Sequence, residues 1–458
     1  MELISESEGY LENYNPASNE VIGKYKIYPA NEINKIVDDS HEAYKQWSTT
    51  LPATRARILN KAAQIIRERT QELAYLEVLD TGKPIYEAIN FDIPSAADAL
   101  EYFAGVAQTV CGTNHIFGNS FAYLRRESIG VCAGIGAWNY PFQIACWKSA
   151  PALACGNTLV FKPSELTPTT ALKLQEIYLE AGLPKGVFTV VTGDKNTGAY
   201  LTNHPKIRKV SLTGSVATGK KIMAAAAADL KHISLELGGK SPLIVFDDCD
   251  LDQAVNIAMN ANFFSQGEVC SNGTRIFVQE KIYDAFIDRF VARTEEIKIG
   301  DPFDPETKMG ALISPEHLNR VLAFIESGKQ QGAKILTGGY KPHFENSVNS
   351  KIKNGNFLLP TIFANVYDDM DIAKNEIFGP VACIFKFQTE DEVICRANQT
   401  EFALAAGIVT QNLARAHRTA AQIQAGVCWI NNYNITPVEI PFGGMKLSGI
   451  GRENGLAE

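Results

Sequence analysis

From residue 129 to about residue 438, short β-rich runs alternate with helical stretches, and this pattern limits the fold more than any other feature of the sequence. The β-rich runs fall at 129–137, 158–162, 187–192, 210–213 and 233–237. Between them, 169–180, closed by Gly182-Leu183-Pro184, and 217–228 read as helices. Strands that alternate with helices in this way predict a parallel sheet with helices on both faces. A second series begins at 242–246, continues through a helix at 251–264 and runs on to about 438. Two series in one chain predict an α/β protein with two doubly wound, Rossmann-like units, and a cleft between them is the natural place for chemistry.

The residues before 129 read differently. Ile33, Ile36, Val37, Tyr44 and Trp47 recur at helical spacing over 31–47, with Asn31 a candidate cap. A second helical region runs from Thr54 past Leu79 and is stopped by Gly82-Lys83-Pro84. Residues 110–125 fit neither pattern and read as a protruding hairpin.

Charge and cysteine usage exclude several classes of function. A formal charge of -8 argues against a phosphate-tracking surface, because nucleic-acid binders concentrate Lys and Arg on one face. Residues 1–14 are acidic and polar, unlike a secretory signal, and no apolar run is long enough to span a bilayer. The nine cysteines include no CxxC pair, so neither a disulfide framework nor a zinc site is expected, and a reducing cytoplasm is the simplest compartment. A small-molecule partner and no metal are the expectation.

Three segments carry candidate chemistry. In Gly267-Glu268-Val269-Cys270-Ser271-Asn272-Gly273 a cysteine sits between glycines, where a thiol is accessible and its thiolate is a strong nucleophile. A buried structural cysteine is the commoner role, and the other eight are read that way. Glu236, in Leu235-Glu236-Leu237-Gly238-Gly239-Lys240, ends an apolar run. Burial there suits it to act as a general base on water, although a salt-bridged strand end reads as well. Asn139, in Gly136-Ala137-Trp138-Asn139-Tyr140-Pro141, could offer a side-chain N–H to an oxyanion, or serve only as a turn residue.

Two further segments suit a nucleotide. Lys162 and Glu165, in Phe161-Lys162-Pro163-Ser164-Glu165, follow a strand, at the end where ribose hydroxyls dock. They read equally as a solvated surface pair. Thr213-Gly214-Ser215-Val216-Ala217-Thr218-Gly219-Lys220-Lys221 joins a strand to a helix, whose free N–H groups with Ser215 would receive a pyrophosphate. It nearly spells a triphosphate loop but has Lys221 where the magnesium-binding hydroxyl belongs, which makes an ATPase a distant reading.

Taken together, Trp138-Asn139-Tyr140-Pro141, Lys162-Pro163-Ser164-Glu165, Leu212-Thr213-Gly214-Ser215, Glu236-Leu237-Gly238-Gly239-Lys240, the Cys270 segment, Glu376-Ile377-Phe378-Gly379-Pro380 and Pro441-Phe442-Gly443-Gly444 resemble the aldehyde dehydrogenase superfamily. Their order and spacing match over nearly the whole chain. Within it the chain looks most like bacterial betaine aldehyde dehydrogenases, notably in Trp147-Lys148-Ser149-Ala150-Pro151 and Ser448-Gly449-Ile450-Gly451-Arg452-Glu453-Asn454-Gly455.

The resemblance implies a dinucleotide-binding domain over 1–109 and 126–238 and a catalytic domain over 239–447. It also implies an oligomerisation element over 110–125 and 448–458, and a homodimer or homotetramer. Cys270 would attack the aldehyde, Asn139 and the Cys270 N–H would hold the oxyanion, and Glu236 would activate the water that hydrolyses the thioester. Lys148 would set the electrostatics nearby. Trp138, Lys162, Ser164, Glu165, Gly214, Ser215, Gly219, Leu237, Glu376 and Phe378 would hold the cofactor. Glu165 favours NAD, since a carboxylate repels a 2'-phosphate, while Lys162 leaves room for NADP.

Tyr140, Trp147, Phe264 and Phe442 would line the substrate tunnel, where ring faces attract a quaternary ammonium and Glu439 adds a counter-charge. Apolar packing is the plainer role for the same rings. Family members continue for a few tens of residues beyond Gly451-Arg452-Glu453, with a strand that pairs with a neighbouring subunit, whereas this sequence stops at Glu458. Oligomerisation is therefore the property the resemblance leaves most open. The rival readings are a Cys270/Glu236 hydrolase without redox chemistry and a non-catalytic member.

Overall fold

A computed structural model describes residues 9–344 and 350–457. The first alternating series forms a six-stranded sheet in the order Gly449–Ile450, His232–Glu236, Ile207–Thr213, Val131–Ile135, Thr158–Lys162, Phe188–Val190. Its sequential strands pair in parallel, as helical crossovers require. The second series forms a seven-stranded sheet, in the order Lys334–Thr337, Thr361–Ala364, Val381–Phe387, Arg275–Gln279, Pro242–Val245, Ala405–Val409, Val427–Ile430. There only Lys334–Thr337 runs antiparallel. Both sheets are α/β, as expected.

Central strands are buried along their whole length, for example Val131–Ile135 and Thr158–Lys162. That burial explains why they read as continuous apolar runs and not as alternating ones. Helices Pro141–Ala154 and Thr169–Glu180 cover one face of the first sheet, with Phe142, Leu153, Leu174 and Tyr178 in the same core as Leu159 and Phe161. No described helix is long and apolar enough to cross a membrane.

Two expectations change in detail. Asn31 lies inside the first turn of helix Ala30–Trp47, and the capping position belongs to Pro29, which makes no side-chain bond. The long helical region is two helices, Pro52–Glu68 and Thr70–Thr81, separated at Arg69. Gly82 ends the second at φ 74, a conformation that glycine adopts without a Cβ clash. Residues 449–450, grouped with 110–125 in the expected oligomerisation element, pair antiparallel with Glu236 and Leu235 on the edge of the first sheet.

Residues 110–125 do form a hairpin, Thr113–Phe117 against Ser120–Leu124, closed at Phe117 and Ser120. Every side chain in both strands is exposed, including Ile116, Phe117, Phe121, Tyr123 and Leu124.

Candidate active site

The carboxyl ends of the first sheet's strands face one deep cleft of about 1230 Å³. This exceeds the roughly 300–1,000 Å³ of pockets for drug-sized ligands, so it has room for a dinucleotide together with a small aldehyde. Cys270, Glu236, Asn139, Trp138, Lys162, Ser164, Glu165, Gly214, Ser215, Leu237, Glu376 and Phe378 all line it, as do Tyr140, Trp147, Phe264 and Phe442.

The chain reaches Cys270 through a strained turn. Helix Leu251–Phe263 ends at Phe264, and Ser265, Gln266 and Gly267 then take φ values of 47, 55 and 74. Two of these residues are not glycine, so the turn costs energy and persists only because its surroundings impose it. Glu87 accepts hydrogen bonds from Ser265 N (3.1 Å) and Ser265 Oγ (2.7 Å) and clamps the turn from one side. The outcome is a cysteine held by backbone geometry between a kinked helix and strand Arg275–Gln279.

Cys270 is only partly covered, and its thiol is pushed up to about 12 by burial, then by Glu376 and Glu236. At neutral pH it rests as a thiol, and attack on a carbonyl requires its proton to leave. Glu236 ends strand His232–Glu236, opposite Thr213 on one side and Gly449 on the other. Gly443 (φ 154) closes over it, so near that a Cβ there would stand 2.6 Å from Glu236 Oε1. Asn139 is buried, and its Nδ2 donates to the Glu268 carbonyl at 2.9 Å. One N–H of the amide is thereby tied to the loop that carries Cys270.

At the other end of the cleft, Lys162 Nζ lies 3.3 Å from Glu165 Oε2 and donates to the Pro163 carbonyl at 2.9 Å. Ser215 caps helix Val216–Ala227, its Oγ accepting from Thr218 N at 3.2 Å. The other N–H groups of that first turn have no intrahelical acceptor, the usual setting for an anion. Between the two ends, Glu376 accepts from Gly239 N at 2.9 Å, and burial pushes its carboxyl up to about 7. Phe378 holds φ 62 and meets the Trp138 ring edge-on at 5.1 Å.

A family model of the aldehyde dehydrogenases matches residues 3–458. The chain belongs to the aldehyde dehydrogenase family. A curated betaine aldehyde dehydrogenase of Sinorhizobium fredii is 54% identical over 458 residues, covering 100% of this chain and 93% of that protein. A Bacillus cereus aldehyde dehydrogenase solved as an NAD+ complex superposes with a TM-score of 0.94 at 40% identity, covering 98% of this chain and 90% of that one. A Staphylococcus aureus betaine aldehyde dehydrogenase in complex with NAD+ gives 0.95 at 37%, covering 99% and 90%.

Three residues expected at the site of this aldehyde dehydrogenase do not line its cleft. Lys148 is buried, ion-paired with Glu453 and donating to Ser211 Oγ at 2.9 Å, and Glu453 is the member of the pair that reaches the cleft wall. Its ammonium is committed behind the wall. Gly219 packs under Leu237, where a Cβ would meet Leu237 Cδ1 at 2.7 Å, so its place in the motif reflects close packing of helix on strand. Glu439 is exposed and lies outside the cleft, while its neighbour Val438 lines it.

Other aldehyde dehydrogenase residues at the cleft escaped the sequence reading. Asn90, Phe91, Asp92, Gln143 and Arg320 line it. His317 Nε2 lies 2.6 Å from the Phe378 carbonyl, and burial lowers its pKa to about 4, so a neutral ring donates to the residue at φ 62. Glu268, two residues before the nucleophile, accepts from Ile313 N at 3.0 Å, and burial raises its carboxyl well above the usual range. Glu268 stands in the Cys270 segment but was given no role there, and the others stand in no motif that marks them.

Proposed function

We propose that this chain oxidises betaine aldehyde to glycine betaine with NAD. The observation that carries this reading is the convergence of Cys270, Asn139 and Glu236 on one wall of a cleft that also holds Lys162, Glu165, Ser215 and Glu376. The donor set fits a dinucleotide. Glu165 and Lys162 suit the adenosine ribose, Ser164, Gly214, Ser215 and the helix start suit the pyrophosphate, and Glu376 suits the nicotinamide ribose. Trp138, Leu237 and Phe378 would flank the ring. Glu165 favours NAD over NADP by charge, and the named relatives that bind NAD+ support that choice.

In this scheme Cys270 Sγ bonds to the aldehyde carbon, and Glu236, whose charge bears on the thiol, accepts its proton. The former carbonyl oxygen becomes an oxyanion held by Asn139 Nδ2 and the Cys270 N–H, donors fixed before the charge develops. When bound, the dinucleotide supplies the acceptor for the hydride. Glu236 passes the thiol proton to solvent, then takes a proton from the water that attacks the thioester and returns it to the departing Cys270 sulfur as the acid leaves.

Tyr140, Trp147, Phe264 and Phe442 support the trimethylammonium substrate, since aromatic faces attract such cations. Trp147 and Phe442 meet edge-on at 6.0 Å, and Phe264 meets Phe91 the same way at 5.3 Å. The test compares kcat/KM for betaine aldehyde with that for its uncharged carbon isostere. A preference of about tenfold or more for the cation is expected, and equal values would reject this substrate.

The domains expected at 1–109 with 126–238 and at 239–447 remain part of this reading. The oligomerisation element expected at 110–125 and 448–458 also remains part of it, with residues 449–450 pairing on Leu235 and Glu236. The exposed apolar hairpin 110–125 supports a homodimer or homotetramer, and the absence of any spanning helix among the described residues is compatible with the cytoplasm.

A further inference from the structure

Behind the cleft wall lies a buried charge cluster that the reaction scheme does not use. Gly82 ends helix Thr70–Thr81 and turns Lys83 inward, where it is 1% exposed. Its ammonium has three partners: the Asp92 carboxylate, the Asn139 carbonyl at 2.9 Å, and the face of the Tyr140 ring at 4.0 Å. Two of these belong to consecutive residues of the wall, and one of them carries the amide assigned to the oxyanion.

Asp92 is placed by an unusual piece of backbone. Residues Ala88–Asp92 form a π-helical turn between two α-helical segments. Such a turn inserts one residue and resets the direction of the side chains that follow, and it recurs at functional sites. Here it brings Asn90, Phe91 and Asp92 to the cleft while Asp92 still reaches Lys83. The surrounding carboxyls, Glu77 and Glu87, are held up to about 8 and about 7 by burial, so Lys83 is the cation of an otherwise acidic cluster.

A buried ion pair of this kind is weak evidence for stability, because desolvation offsets the attraction and apolar packing of equal volume does as well. Its effect is better sought in what it holds still. Asn139 is tethered twice: its backbone carbonyl to Lys83, and its side-chain Nδ2 to the Glu268 carbonyl beside the nucleophile. With both ends fixed, the second N–H of the amide has one direction left.

We propose that Lys83, oriented by Asp92, is the positioning residue of the oxyanion site and acts through the backbone of Asn139. This rests on the function proposed above. Lys83 itself does not line the cleft, and neither member of the pair is among the residues assigned to the dinucleotide, so loss of the pair lowers kcat and leaves dinucleotide affinity alone.

The decisive variant is Lys83→Met/Asp92→Leu, which removes both charges and avoids leaving one buried alone. Its thermal midpoint, NAD dissociation constant, kcat and KM are compared with wild type, with Lys83→Arg, and with the same double substitution in an Asn139→Ala background. The expected result is an NAD dissociation constant within about twofold of wild type and kcat down about 10²-fold, the size of a misplaced oxyanion donor. Lys83→Arg, which still donates to the carbonyl and stacks on Tyr140, recovers part of the loss. In the Asn139→Ala background the double substitution costs nothing further, because both changes remove one function.

Wild-type kcat in the double variant, or losses that simply multiply with Asn139→Ala, would overturn the proposal. If the double variant does not fold, the same cycle run with Lys83→Arg and Asp92→Asn decides by the same criteria. A wild-type protein that fails to reduce NAD with any aldehyde defeats the proposed function instead.

Discussion

At the Cys270 end of the cleft, three consecutive residues hold positive φ, Glu87 braces them, and buried Lys83 and Glu268 tether Asn139. At the Lys162 end, Ser215 caps a regular helix and the Glu165 side chain is 46% exposed. The first region spends strain and buried charge on fixing a few atoms, whereas the second offers ordinary donors and acceptors at the natural ends of strand and helix. Bond making tolerates displacements of a fraction of an ångström, while a flexible cofactor adapts to any well-placed set of partners. The contrast teaches that substitutions at one end should appear in kcat and at the other in KM for NAD.

The largest break of that contrast is Cys270→Ala. It removes the nucleophile, and a single-turnover measurement of NADH absorbance should show the burst reduced at least ~10⁴-fold. NAD binding, followed by calorimetry, should persist. Asn139→Ala comes next, with kcat down about 10²- to 10³-fold and KM for NAD little changed.

Glu376 sits between the two regions and sharpens the boundary. Its carboxyl titrates at about 7, so the charged form that accepts from a ribose hydroxyl is lost as pH falls through that value. The NAD dissociation constant should therefore rise about tenfold from about pH 8 to about pH 5.5, and Glu376→Gln should flatten the profile. The smallest effect is expected for Glu165→Ala, whose loss raises KM for NAD roughly three- to tenfold with kcat unchanged, the pattern of uniform binding. A drop in kcat there would blur the distinction between the ends.

The same contrast governs what could be read from residues alone. Strand Thr158–Lys162 and helix Thr169–Glu180 are encoded locally, by an apolar run and by a closing Gly-Leu-Pro, and they stand where the pattern put them. The cofactor end was legible for the same reason, since strand, turn and helix start are contiguous. The pairing of Lys148 behind the cleft wall could not be read, because its partner, Glu453, lies 305 residues away. Lys83 was read only as part of a helix stop, and Asp92 lay in a stretch given no reading of its own, with no sign of a π-helical turn. Long-range tethers leave no local periodicity, so the scaffold that aims Asn139 is visible only in the folded chain.

Residues 449–450 close the free side of strand His232–Glu236, and Ser448 Oγ donates at 2.8 Å to the Gly238 carbonyl, 210 residues earlier. As the chain leaves the ribosome, the strand bearing Glu236 therefore keeps an unpaired margin until residues 449–450 have been made. Glu236 is synthesised long before the segment that encloses it, so the stretch of cleft wall it occupies stays incomplete until then.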